Sequence, residues 1–371
     1  MTLRLGIAAV VVGLLLLTCT SSAPIHIGVM VSADAVAGGQ LAVAEINATG
    51  GIRGRALALV HIGRLDGTLA EPALEAAESL TADPAVIAVI GHSSSSASLS
   101  ASQIYNARHI VQVAPTSSSP LLDRSGPFTF RLVASDVHQA RYIAALVAAG
   151  GATQRTAVVY VNDDYGRALR DELRSQLARA GVPIVYEGSY VENEPLGDVP
   201  AFASAIAAPG STLLIWLGRS PQLGELLPVL RTRIPAITIL GSDGVDNLDT
   251  ELNADGRFTG VRFVCFVDVH GERLKLRAFR ERFGAIHGNQ LSPEAVLTYD
   301  AMILLATAAR AVGPKPEAIR EYLVSLGRTR PAFTGASREF SFDSTGAPPP
   351  SYCLGEVTPT GARVISTVNG P

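Results

Sequence analysis

Charge is what this sequence has little of. Only 17% of its 371 residues are Asp, Glu, Lys or Arg, the formal net charge is −3, and like charges never cluster into a run. That argues against a basic nucleic-acid groove and an acidic or basic tail. With 47% hydrophobic residues the chain can bury a sizeable core, which argues against disorder. Cysteine is scarce too: Cys19, Cys265 and Cys353 are the full set, and no Cys-x-x-Cys occurs. The seven histidines show no His-x-x-x-His spacing, so a metal site has no support. No Gly-x-Gly-x-x-Gly follows a strand pattern and no Walker loop is present, so no nucleotide cofactor is expected. Gly91-His92-Ser93-Ser94-Ser95 lacks the second glycine of a nucleophile elbow. His92 is therefore read as packing or hydrogen-bonding within its turn, and an α/β hydrolytic enzyme is the weaker reading.

What is present begins with an export signal. Arg4 precedes an unbroken apolar stretch over residues 5–17, the length of a signal-peptide core and too short for a comfortable membrane span. The stretch ends at Leu17-Thr18-Cys19, which resembles a bacterial lipoprotein leader whose cysteine is lipidated. Such leaders place a small residue directly before the cysteine, where Thr18 stands here, so ordinary cleavage after Ser21-Ser22-Ala23 is the alternative. Both routes export residues 25 onward, and the first anchors Cys19 in the membrane.

After residue 24 short β-branched runs alternate with longer amphipathic ones, the rhythm of parallel α/β units. Strands are expected over 25–31, 56–62, 86–90, 111–114, 156–161, 184–190, 212–217, 237–240 and 261–266. Helices are expected over 40–47, 72–81, 97–107, 137–149, 167–180, 221–231, 272–283 and 293–312. The remaining tail holds a short strand over 339–342, a proline-rich turn at 348–350 and strands over 351–357 and 363–368. At this length two domains are the default.

Four segments together resemble the type I periplasmic binding proteins, specifically the branched-chain amino-acid receptors of ABC importers. They are Ala44-Glu45-Ile46-Asn47 running into Thr49-Gly50-Gly51, then Val89-Ile90-Gly91-His92-Ser93, then Asp163-Asp164-Tyr165-Gly166, then Gly241-Ser242-Asp243-Gly244. The resemblance implies two Rossmann-like lobes joined by a three-strand hinge, with the ligand in the cleft between them. One lobe would comprise residues 25–135 with 266–345, the other 136–265 with 346–371. It also implies a monomer that captures a small molecule, an amino acid or a related one, and delivers it to an ABC permease. A sensing module for a separate membrane receptor is the alternative. Under this arrangement Cys265 and Cys353 sit on neighbouring strands near the hinge and are a candidate disulfide.

By the same resemblance Ser95 grips the ligand's carboxylate, with Ser94 beside it in the serine-rich turn, residues 91–98. On residue chemistry alone that turn is either an anion seat at a helix N-terminus or a helix cap. The Thr116 carbonyl and the Ser118 hydroxyl would complete the charged end of the site, Asp243 would pair with the ammonium, Tyr165 would rest against the ligand and Asp136 would sit at the first hinge. Two departures stand out. The family's long insertion after the first strand is replaced here by Ser32-Ala33-Asp34, and Gly218-Arg219-Ser220 stands where the family often presents a tyrosine. Arg219 is read either as suiting a ligand with an extra acidic group or as an ordinary surface arginine.

Overall fold

The computed structural model describes residues 23–62, 70–151, 154–246, 255–288 and 291–369; the leader and Cys19 lie outside the described residues. In the first half β1 (Ile25–Met30), β2 (Leu57–Val60), β3 (Val86–Gly91), β4 (Val111–Ala114) and β5 (Thr129–Arg131) form one parallel sheet in the order β2-β1-β3-β4-β5. The central strand β3 reads Val-Ile-Ala-Val-Ile-Gly and is buried at every position, as expected where helices cover both faces of a parallel sheet. Helices α1 (Ala33–Ala48), α2 (Ala70–Ala82) and α3 (Ser95–Ala107) make the crossovers.

After α4 (Asp136–Ala149) a second unit repeats the plan. It contains β6 (Thr156–Val161), α5 (Asp164–Arg179), β7 (Ile184–Tyr190), α6 (Val199–Ala207), β8 (Leu213–Leu217), α7 (Ser220–Arg233), β9 (Thr238–Gly241) and β10 (Arg262–Cys265). The chain then returns to the first unit through α8 (Leu274–His287), α9 (Pro293–Val312) and α10 (Pro316–Ser325), followed by the small hairpin of β11 (Phe333–Thr334) and β12 (Glu339–Phe340). Finally β13 (Ser351–Thr358) and β14 (Gly361–Asn369) join the second sheet antiparallel, giving the order β14-β13-β10-β9-β8-β6-β7. The two sheets are the cores of two Rossmann-like lobes, and the chain passes between them after β5, after β10 and before β13.

Cys265 and Cys353 are directly opposed in the β10–β13 ladder and joined by a disulfide, with Cα atoms 4.9 Å apart. Helix α9 is apolar on most of its circumference because it is enclosed, packing on both α1 and α10. It approaches α1 so closely that a Cβ on Gly38 would stand 2.2 Å from the Ala295 carbonyl oxygen. The helix expected to begin at Gln40 begins at Ala33, and this contact gives Gly38 a packing role inside it. Gly38 and Gly39 look like a turn in the sequence, yet they lie inside the helix as the flat spot on which α9 rests. The strand expected over 339–342 stops at Phe340, and the three-residue β5 and helix α6 were not anticipated.

Candidate functional site

In each sheet the strand order reverses at one point, between β1 and β3 in the first lobe and between β6 and β8 in the second. Loops leaving the carboxyl ends of neighbouring strands diverge there and open a crevice, the usual ligand position in such folds. The two crevices face one another across a cavity of about 310 Å³, a size that fits a metabolite rather than a polymer.

The first-lobe wall is the serine turn. Ser94 caps α3, its Oγ accepting from the Ala97 N–H at 3.2 Å, and Ser95 is the first helical residue. Side-chain bonds brace the turn against its neighbours. The Ser93 Oγ accepts from the Ser32 N–H at 3.1 Å, the Thr116 hydroxyl donates to the Ser93 carbonyl at 2.9 Å, and the Ser95 Oγ accepts from the Ser119 N–H at 3.3 Å. Ser98 and Ser117 hydroxyls meet at 2.8 Å underneath. The N-terminus of α3, with its positive end of the peptide dipoles, is thus held rigidly toward the cavity. His92 lies behind the turn, 3.3 Å from the Tyr105 hydroxyl, and burial pushes its pKa down to about 3, so the ring is neutral.

In the second lobe Asp163 caps α5, accepting from the Gly166 N–H at 2.7 Å, which fixes Tyr165 on the first turn. The Tyr165 hydroxyl donates to Asp243 Oδ1 at 2.6 Å and lies 2.8 Å from the Ser242 hydroxyl. Gln139 of α4 binds Asp243 doubly. Its Nε2 donates to Oδ1 at 2.7 Å while its Oε1 accepts from the Asp243 N–H at 3.0 Å. The same Nε2 donates to Asp136 Oδ1 at 2.9 Å, so one amide bridges two buried carboxyls. Burial, and then the charge of Asp243 beside it, drives Asp136 well above the usual carboxylate range. Burial raises Asp243 too, against the opposing hydrogen bonds from Tyr165 and Gln139.

Of the expected site residues, the fold brings Ser95, Thr116, Tyr165 and Asp243 to the walls of one cavity. Ser94, Ser118 and Asp136 stand behind those walls. The Ser118 carbonyl accepts from the Asp136 N–H at 2.9 Å, and its hydroxyl favours the Asp136 carboxylate. Arg219 is neither free nor ordinary. Its Nε is 3.1 Å from Glu192, a terminal nitrogen is 4.0 Å from Asp163, and the guanidinium lies over the Tyr165 ring at 4.9 Å.

Sequence comparison gives the arrangement its family. A family model described as periplasmic binding protein matches residues 17–362. The chain belongs to the periplasmic binding protein family. Its fold is that of the type I members, and proteins of this family are exported solute-binding proteins rather than enzymes. It is similar to the "Amino acid binding protein" of Pseudomonas aeruginosa, 29% identical over 221 residues, a match covering 59% of this chain and 58% of that one. The "Leu/Ile/Val-binding protein homolog 1" of Brucella abortus is 26% identical over 326 residues, covering 85% and 83% of the two chains. Among solved structures a leucine binding protein of Thermotoga maritima superposes with a TM-score of 0.82 at 22% identity, covering 93% of this chain and 99% of that one.

In this periplasmic binding protein several cavity residues escaped the sequence reading: Ser32, Asp34, Glu192, Asp246 and Glu294. Ser32 directly precedes α1 and Asp34 lies in its first turn, where both line the cavity. Glu294 follows Ser292-Pro293, an ordinary helix-start signature that draws attention to capping. Ser292 does cap α9, yet the Glu294 side chain turns to the Ser32 hydroxyl at 2.5 Å. Only the approach of α9 to α1 reveals that contact.

Proposed function

We propose that this protein captures a small amino-bearing solute between its two lobes and hands it to an ABC permease. The observation that carries the reading is the convergence of complementary groups from opposite lobes on one cavity. The serine-lined N-terminus of α3 and Thr116 come from one side, and the Asp243 carboxylate, steadied by Tyr165 and Gln139, from the other. Asp243 receives an ammonium group, and Ser95 with the helix N-terminus receives the polar or anionic end. Residues 25–135 with 266–345 and residues 136–265 with 346–371 act as the two closing bodies. The protein works as a monomer, tethered to the membrane by a lipid on Cys19.

Thermal-shift screening of residues 23–371 against amino acids, amines, small amides and dicarboxylates tests this, because a ligand that binds the folded state raises the melting temperature by mass action. Ser95→Ala and Asp243→Asn are each expected to weaken the best ligand by at least about tenfold. Unchanged affinity in both variants overturns the site, and hydrolysis of a screened compound overturns the function.

A further inference from the structure

Among the described residues the cavity is lined by five carboxylates, Asp34, Glu192, Asp243, Asp246 and Glu294, and by a single cation, Arg219. Arg219 pairs first with Glu192 and Asp163 and also attracts Asp243 and Asp246, so one guanidinium stands against five carboxylates among the described lining residues. An amino acid with an aliphatic side chain brings one ammonium group, and Asp243 alone suffices for it. The remaining carboxylates then face a ligand with nothing for them to bind.

They are close enough to feel one another. Asp246 is driven well above the usual carboxylate range, first by burial and then by the charge of Asp243, with Arg219 opposing and Glu294 adding to the rise, and Glu294 is raised by burial and by Asp34 against its hydrogen bond from Ser32. Glu294 Oε1 is shielded from solvent and has no hydrogen-bond partner among the described residues, although Oε2 accepts from Ser32. Covered charge of one sign is costly unless an opposite charge joins it. A metal ion does not fit the pattern: among the described residues no three His, Cys, Asp or Glu side chains are placed to hold one. The negative charge is distributed along the cavity from α1 to α9 to the loop after β9, which matches an extended organic cation.

We propose that the ligand carries at least two positively charged nitrogens, as a basic amino acid or a diamine does, one held at Asp243 and another in the Asp34, Asp246 and Glu294 corner. The assignment rests on the solute-binding reading above and specifies its ligand class. Of the two readings of Arg219 given by the sequence, it opposes the one in which the residue suits a ligand with an extra acidic group.

Calorimetric titration of residues 23–371 with L-lysine, L-ornithine, 1,4-diaminobutane, L-leucine and L-glutamate decides it. At least one of the first three is expected to bind about tenfold or more tightly than leucine, with affinity falling as salt is raised. Ornithine or lysine binding best identifies an amino acid as the ligand, and diaminobutane binding best identifies a diamine. Glu294→Gln keeps the side-chain shape and its acceptor for Ser32, and Asp246→Asn is its companion. Each is expected to weaken the dication by about tenfold, with the ligand-free melting temperature as the check on folding. Leucine or glutamate binding as tightly as the dications, or neither variant weakening them, overturns the proposal while leaving solute binding intact. Failure of every amino acid and amine to bind overturns the solute-binding reading itself, and this proposal with it.

Discussion

Single side chains in this protein are asked to hold charges in places water does not reach. Asp300 is the simplest case. It is fully buried in α9 and accepts from the Ala336 and Ser337 N–H groups and the Ser337 hydroxyl, yet burial outweighs them and lifts its pKa to about 6. A carboxyl with a raised folded pKa binds its proton more tightly in the native state than in the unfolded chain. Its contribution to stability is therefore complete below about pH 4 and is lost as pH rises through about 6. Melting curves of wild type and Asp300→Asn across this range should show the wild type's relative stability declining from pH 4 to pH 6 and level above it. Gln139 is the second case, since its amide is the bridge between Asp136 and Asp243. Gln139→Leu takes a donor from both carboxyls and is expected to cost about 2 kcal/mol in urea unfolding, with ligand affinity falling alongside.

Elements are where much of the sequence reading succeeded, and where its limits have physical causes. The strands of both sheets were legible because buried parallel strands are compact β-branched runs, as in Thr156–Val161 and Leu213–Leu217. Ser95, Thr116, Tyr165 and Asp243 were legible as candidates through the family resemblance, and each follows a strand at its carboxyl end, where parallel folds gather ligands. The acids Asp34, Asp246 and Glu294 were not, because nothing in their local pattern marks them out and tertiary approach alone aims them. β5 was missed because its three residues are ordered by others, with the Arg131 N–H donating to the Gly346 carbonyl. Gly38 likewise reads as a break until α9 is laid against it. Gly38→Ala would force those helices apart and is expected to lower stability by about 1–3 kcal/mol in urea unfolding. Gly50→Ala, where nothing stands within 4 Å of the new Cβ but φ is +90°, tests backbone strain in place of crowding.

At the scale of the whole molecule the covalent link matters most for the ground it spans. Cys265 and Cys353 are 88 residues apart in sequence, and the intervening chain leaves the second lobe, supplies α8, α9 and α10 to the first, and comes back. Cross-linking such a long excursion restricts the unfolded chain substantially. Reduction, or the paired Cys265→Ser and Cys353→Ser change, is expected to cost about 2–5 kcal/mol in denaturant unfolding. Because both cysteines belong to one sheet, the ligand affinity of the folded protein should survive.

Beside the cavity the two lobes also touch directly at Asp164, the first residue of α5. Its N–H donates to the Ser96 hydroxyl, and its carbonyl accepts from the Ser119 hydroxyl, each at 3.3 Å. The three residues form a clasp made without any help from the solute. On the proposed function, closing of the lobes on a solute is favoured by this clasp as well as by the solute's own contacts. Neither Ser96 nor Ser119 is among the lining residues, so the contacts that hold the lobes together and the contacts offered to a solute are carried by different side chains.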